Sequence, residues 1–166
     1  MTKFETPSHL KRLGAPGVKL GREWTPAHDL VNLYLGIAVL ADNELDPEEQ
    51  RIFMRKFGGW MPKVPLEEFE KVWGEVMSVH RSLDSSEARY GLYLQSTINV
   101  LHSLGGNKKK LRAIIRDLVE IAGADNKLHE NEVTMIKAAA ITFGLSADLR
   151  LNAKTGQVEL ILKDAN

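Results

Sequence analysis

Apolar residues recur every three or four positions along most of this chain, and this pattern predicts a series of amphipathic helices. The first helix start is indicated by Thr25-Pro26, with Thr25 as the N-cap and Pro26 as the first helical residue. The helix that follows is apolar nearly all round from Leu30 to Ala41. A helix of this kind is expected in the interior of a globular protein.

Five more amphipathic helices are predicted after the first. The second starts at Asp46-Pro47 and is expected to end at Gly58-Gly59, and the fifth starts after Asn107. The remaining starts are indicated near residue 66, after Asp84-Ser85-Ser86-Glu87 and after residue 129. The positions expected to face the core are Ile52, Phe53, Phe57 and Trp60; Leu66, Phe69, Trp73, Val76 and His80; Leu94, Ile98 and Leu101; Leu111, Ile114, Ile115, Leu118 and Ala122; and Val133, Ile136, Ala140 and Phe143.

The last twenty residues change from a helical period to a period of two. Apolar positions alternate before and after a turn at Gly156, which predicts a β-hairpin. These positions are Leu149, Leu151 and Ala153, and then Val158, Leu160 and Leu162. We therefore predict an all-α, single-domain bundle of about six to seven helices with a small C-terminal β-hairpin. The expected divisions are an N-terminal arm over 1–24, a helical domain over 25–146 and the hairpin over 147–166.

One stretch of the chain occurs twice. Ala-Asp-Asn-Glu-Leu-Asp-Pro-Glu-Glu runs over 41–49, and Ala-Asp-Asn-Lys-Leu-His-Glu-Asn-Glu runs over 124–132. Each copy lies between an apolar helical segment and an amphipathic one, so each is predicted to be the loop of a helix-loop-helix unit. Because neither unit could bury its apolar face alone, we expect the two units to pair pseudo-symmetrically in one bundle.

Turn and cap chemistry accounts for every repeated residue of these loops. Asp42 and Asp125 end one helix and can accept a hydrogen bond from their own backbone two residues on. Glu49 and Glu132 fall at the third position of the next helix, where a carboxylate satisfies free amides and the helix dipole. On this interpretation the acidic loops are helix caps and nothing more.

Cation binding is the alternative interpretation. If the two units face each other, Asp42, Glu49, Asp125 and Glu132 converge, with Asp46 nearby. Oxygen-only ligands select Ca²⁺, Mg²⁺ or Mn²⁺ over zinc or copper. The loop is not an EF-hand, because its sixth residue is proline and its twelfth is phenylalanine. A site would therefore need ligands from both loops.

The paired Ala-Asp-Asn-x-Leu-x-x-x-Glu motifs resemble those of the TerB-like family of tellurite-resistance proteins, over about 30–145. The resemblance implies a helical bundle of about seven helices that binds a divalent metal through acidic residues of both motifs. It also implies a role in a stress response with partner proteins, and not as an enzyme. The implied ligands are Asp42, Glu49, Asp125 and Glu132. This chain has asparagine at 43 and 126 where the family usually has glycine.

Composition narrows the other possibilities. Lys plus Arg and Asp plus Glu are equal at 22 each, which argues against general binding to nucleic acids or membrane surfaces. The chain has no cysteine, no apolar signal segment and no run of apolar residues long enough to span a bilayer. These features favour a cytoplasmic protein. Its oligomeric state is not indicated.

Three functions follow, in order. The first is a non-enzymatic module that binds a divalent cation (Ca²⁺, Mg²⁺ or Mn²⁺) and other proteins in a stress response. The second is a structural protein-binding scaffold whose acidic loops are only caps. The third is an enzyme that uses the carboxylates as acid and base, which is the weakest because no nucleophile and no known catalytic motif accompanies them. His80 is expected to be a hydrogen-bonded core residue, and Lys108-Lys109-Lys110 a solvated run.

Overall fold

The structure, a computed structural model, describes residues 24–42 and 47–166. This part of the chain forms six α-helices followed by a two-stranded antiparallel hairpin, in agreement with the predicted fold class. The elements are α1 (Pro26–Asp42), α2 (Pro47–Trp60), α3 (Leu66–Ser82), α4 (Ser86–Ser103), α5 (Lys108–Ala122), α6 (Glu130–Thr142), β1 (Leu145–Leu151) and β2 (Val158–Asp164). The predicted arm over 1–24, apart from Trp24, lies outside the described residues, as do residues 43–46.

Several helix starts are where the sequence predicts them. Both α1 and α2 begin with a proline at the first helical position, which suits proline because its missing N–H has no intrahelical partner there. Ser85 caps α4 by accepting a hydrogen bond from the Ala88 amide, and Asn107 caps α5 in the same way through Lys110. These side chains satisfy amides that the helix itself leaves unpaired.

Helix α1 is the centre of the bundle and contacts each of the other five helices. Every residue from Leu30 to Ala38 that carries a side chain is almost fully buried. Gly36 permits this close packing: a Cβ atom there would lie 2.8 Å from the Tyr93 ring. The nearly uniform apolar character of α1 is therefore explained by its contacts on all sides.

The two helix-loop-helix units pack directly against each other. Tyr34 of α1 and Asp117 of α5 are 83 residues apart, the same spacing that separates the two loop motifs, and the Tyr34 hydroxyl donates to Asp117 Oδ2 at 2.5 Å. The contact thus joins equivalent positions of the two units, as expected for a pseudo-symmetric pair. Trp60 at the end of α2 donates to the same carboxylate oxygen at 2.7 Å.

The hairpin covers the open side of the second unit. Its register pairs Leu145 with Asp164, Leu149 with Leu160 and Leu151 with Val158, which places the alternating apolar residues on one face. Strand β1 packs against α6, and β2 packs against α5. The predicted hairpin is confirmed, although β1 begins at Leu145, directly after the glycine that ends α6.

Four details of the sequence prediction are wrong. Helix α2 does not end at Gly58-Gly59 but continues to Trp60, because the buried hydrogen bond of that indole outweighs the low helix propensity of two exposed glycines. Leu66 is exposed instead of buried. Lys108 is not merely solvated: its Nζ donates to the carbonyl oxygens of Phe143 at 2.7 Å and Gly144 at 3.1 Å.

The fourth error concerns the inward face of α4. Ile98 is exposed and Leu94 and Leu101 are only partly buried, whereas the buried positions include Leu92, Tyr93, Ser96, Asn99 and Val100. The face is set by polar groups of α1 that Ser96 and Asn99 satisfy, and not by the apolar stripe alone. Within the described residues, no helix is long and apolar enough to cross a membrane.

Candidate metal centre

The second repeated loop is a tight turn shaped by its own side chains. Asp125 Oδ1 accepts a hydrogen bond from the Lys127 amide at 3.0 Å, and Asn126 adopts a left-handed backbone with φ of 59°. Asparagine tolerates this conformation better than other residues with a side chain. The predicted turn chemistry of Asp125 and Asn126 is therefore confirmed.

Glu132 forms the predicted cap at the start of α6. The His129 amide donates to Glu132 Oε2 at 2.9 Å, which is the carboxylate half of a capping box. His129 also approaches Asp125, with 3.7 Å between Nε2 and Oδ2. This imidazole, the carboxylate of Asp125 and that of Glu132 are thus brought to one short stretch of chain.

The carboxylates that end the two motifs are both buried. Glu49 is 2% exposed in the first unit, and Glu132 is 1% exposed in the second. A carboxylate is rarely buried to this degree unless it is paired, hydrogen-bonded or bound to a cation. The side chain of Asp42 and all of Asp46 lie outside the described residues, so their predicted placement beside Glu49 stays a prediction.

The two loops approach the same end of the bundle. Asp117 of α5 contacts Lys56 and Trp60, whereas Glu120, one turn further along α5, contacts Arg55 and Lys56. Residue numbers fall along α2 as they rise along α5, so the two helices are antiparallel. Helix α2 begins where the first loop ends, and α5 ends where the second loop begins. Among the described residues alone, no three acidic or histidine side chains are close enough together to hold a metal.

Ion pairs join α2 to α5 near these loops. Lys56 Nζ lies 3.3 Å from Asp117 Oδ1, and both Lys56 and Arg55 pair with Glu120. Burial alone would lower the pKa of Lys56, but the carboxylates of Glu120 and Asp117 raise it above its ordinary value. Burial likewise opposes ionisation of Glu120, but its two cationic partners lower the pKa of that carboxyl. These charges therefore hold α2 and α5 together as ions.

A second polar cluster, in the interior between α1, α3 and α4, was not predicted as a group. We call Trp24, Asp29, Asn32, His80, Ser96 and Asn99 the buried polar network. Asp29 Oδ1 accepts hydrogen bonds from Trp24 Nε1 at 2.8 Å, Asn99 Nδ2 at 2.9 Å and Ser96 Oγ at 3.1 Å. Its other oxygen, Oδ2, is buried and has no hydrogen-bond partner in the described structure.

The network continues from Ser96 to His80. Asn32 Nδ2 donates to Ser96 Oγ at 2.9 Å, and Asn32 Oδ1 lies 2.6 Å from His80 Nε2. Because the Asn32 amide nitrogen also faces the Leu92 carbonyl oxygen, Oδ1 is the acceptor and His80 Nε2 carries the proton. The expectation that His80 is a hydrogen-bonded core residue is confirmed.

Burial favours the neutral form of both titratable groups in this network. It raises the pKa of Asp29 to about 7, against the opposing effect of the hydrogen bonds from Trp24, Asn99 and Ser96. It lowers the pKa of His80 to about 4, and the positive charge of Arg89 lowers it further. The signal that could have located this network is the helical spacing of Asp29 with Asn32 and of Ser96 with Asn99.

Comparison with known proteins agrees with the resemblance noted in the sequence. A family model described as "Tellurite resistance protein TerB" matches residues 66–155, which is 90 of the 166 residues of the chain. The chain belongs to the TerB family. No curated protein and no solved structure matches it. The matched range holds α3 to α6, the second loop and β1. It leaves out the first loop but, unlike the resemblance over 30–145, reaches into the hairpin.

Proposed function

We propose that this TerB-family chain is a non-enzymatic module that binds one divalent cation with its two repeated loops and acts with protein partners in a stress response. Asp42, Asp46 and Glu49 supply oxygens from the first loop, and Asp125 and Glu132 supply them from the second. A set of carboxylate oxygens suits Ca²⁺, Mg²⁺ or Mn²⁺. The protein partners and a cytoplasmic location belong to the same proposal and are supported by family membership.

The observation that carries the proposal is the burial of two equivalent carboxylates. Glu49 and Glu132 are the closing residues of the two motifs, and each is almost fully buried. A cation shared between the loops would compensate their charge, which an apolar interior does not. The antiparallel packing of α2 and α5 supports this, because it directs both loops toward one end of the bundle.

The cap chemistry of the second loop favours a second candidate, a protein-binding scaffold that needs no metal. Asp125 is engaged by the Lys127 amide and Glu132 by the His129 amide. Both hydrogen bonds use a single carboxylate oxygen. Either side chain could therefore serve as a cap and a ligand at once, so the two candidates differ in what the charge contributes and not in the fold.

Amide substitutions separate these candidates. Asp125→Asn and Glu132→Gln keep an oxygen that can accept the same backbone hydrogen bond, but each removes the charge that a cation requires. Isothermal titration with Mn²⁺ and urea unfolding should be run on both variants and on Asp148→Asn as a control, because Asp148 is an exposed hairpin residue away from the loops.

The expected result is loss of Mn²⁺ binding in both amide variants, with stability within about 0.5 kcal/mol of the parent in metal-free buffer. The control should bind as the parent does. Unchanged Mn²⁺ affinity in Asp125→Asn and Glu132→Gln would instead leave the scaffold as the function, with the acidic loops acting only as caps.

A further inference from the structure

The C-terminal hairpin packs directly on the second loop. Gly123, the first residue after α5, lies so close to Val158 that an added Cβ atom would be 3.0 Å from Val158 Cγ2. Val158 is the first residue of β2, and it pairs with Leu151 across the hairpin. The entrance to the loop is therefore covered by a side chain from the far end of the chain.

A second contact lies at the tip of the hairpin. Gly156 has φ of +70°, and an added Cβ atom there would be 3.4 Å from Asn126 Cβ. Asn126 is the loop residue that adopts the left-handed conformation between Asp125 and Lys127. The hairpin thus contacts the second loop on both sides of Asp125, at Gly123 and at Asn126.

The hairpin turn is rigid enough to act as a support. Asn152 accepts hydrogen bonds from the Gly156 amide with its carbonyl oxygen and from the Lys154 amide with its side chain, at 2.8 and 2.9 Å. An open groove of about 330 Å³ runs between this turn, the second loop and α5, and Gln157 and Leu160 are part of its lining. The first loop has no such support from the described residues of this hairpin.

From these contacts we infer that the hairpin positions the second acidic loop, with Val158 and the Gly156 turn fixing the direction in which Asp125 points. The part of this inference that concerns cation affinity rests on the proposed function. The part that concerns the loop conformation does not. A movement of the hairpin would change the second loop selectively, so the hairpin is a point at which cation binding could be regulated.

Val158→Ala tests this inference. The amides of Asn126 and Lys127 are hydrogen-bonded to Gly123 and Asp125, respectively, so their hydrogen exchange reports the loop conformation without any metal. The matched control is Ile161→Ala, because Ile161 is in the same strand but is half-exposed on the other face. We expect exchange at both amides to quicken about tenfold in Val158→Ala and to stay unchanged in Ile161→Ala.

Gly123→Ala provides a second variant for the same contact. If Gly123 and Val158 act on each other, the effects of Gly123→Ala and Val158→Ala on loop exchange will not add in the double variant. Additive effects, or exchange in Val158→Ala that equals the parent rate, would overturn the inference.

Titration of the same proteins with Mn²⁺ keeps the two proposals apart. The expected result is affinity about tenfold weaker in Val158→Ala than in the parent or in Ile161→Ala, since a loosened loop holds its ligands less well. A parent protein that takes up no Mn²⁺ would overturn the proposed function, while the exchange measurement would still decide whether the hairpin positions the loop.

Discussion

Asp29 and His80 are the two buried groups whose protonation most affects stability in opposite directions. The folded pKa of Asp29 is about 7 and its ordinary value is 3.8, so the folded protein keeps a proton that the unfolded chain releases between these values. Stability from Asp29 is therefore fully present below about pH 4 and is lost as the pH rises through 7.

His80 has the opposite effect. Its folded pKa of about 4 lies below its ordinary value of 6.5, so between these values the unfolded chain binds a proton that the folded protein does not. Stability from His80 is present above pH 6.5 and is lost as the pH falls toward 4. Between these two limits the contributions of Asp29 and His80 cancel, because each changes by about 1.4 kcal/mol per pH unit with opposite sign.

Substitution of Asp29 by Asn should separate the two contributions. Asparagine has the shape of the protonated carboxyl and keeps an oxygen for the donors from Trp24, Ser96 and Asn99. We expect Asp29→Asn to match the parent near pH 4 and to be more stable at pH 7.5 by about 4 kcal/mol, as urea unfolding would measure. A variant that is less stable than the parent at pH 7.5 would contradict the assigned protonation of Asp29.

At the scale of elements, Asp117 connects three helices through one side chain. It accepts hydrogen bonds from Tyr34 of α1 and Trp60 of α2, and it pairs with Lys56. Burial raises the pKa of Tyr34 well above its ordinary value, and the Asp117 carboxylate raises it further, so Tyr34 remains a donor over the whole accessible pH range.

Loss of the Asp117 carboxylate should therefore be costly. Asp117→Ala leaves the Tyr34 hydroxyl buried without its partner and removes the acceptor of Trp60. We expect the free energy of unfolding to fall by about 3 kcal/mol. The control is Glu120→Ala, which removes an exposed ion pair on the same helix and should cost less than about 1 kcal/mol. Equal losses in the two variants would be inconsistent with a special role for Asp117.

Lys108 connects the start of α5 to the end of α6. Its ammonium group donates to the carbonyl oxygens of Phe143 and Gly144, at a helix end where carbonyls lack intrahelical partners and the dipole favours a cation. Lys108→Met should lower the free energy of unfolding by about 1 kcal/mol, while Lys109→Met, at the neighbouring exposed lysine, should leave it unchanged. Chemical denaturation of both variants measures the difference.

Elements with a strong local signal could be predicted from the sequence, and those decided by distant contacts could not. The prolines at 26 and 47, Ser85 and Asn107 specify helix starts through local chemistry, and the sequence placed them correctly. The end of α2 is set by the hydrogen bond from Trp60 to Asp117, which is 57 residues away. The inward face of α4 likewise depends on Asp29 and Asn32 of α1, which the sequence pattern of α4 does not contain.

At the scale of the whole molecule, the duplicated motif was the most informative part of the sequence. It predicted the pairing of the two units, and the Tyr34–Asp117 contact joins equivalent positions of that pair. It also predicted the caps at Asp125 and Glu132. The hairpin's contact with the second loop could not be predicted, because it depends on the missing side chains at Gly123 and Gly156, whose partners are far along the chain.

The number of cations bound per chain is the most direct test of the account. Two loops that act as one site should bind one Mn²⁺, Ca²⁺ or Mg²⁺ per chain in a calorimetric titration to about 1 mM metal, a range that includes weak protein sites. Asp42→Asn in the first loop and Asp125→Asn in the second should each abolish that binding. Two independent ions per chain, or no heat and no thermal shift with any of the three metals, would contradict a shared site.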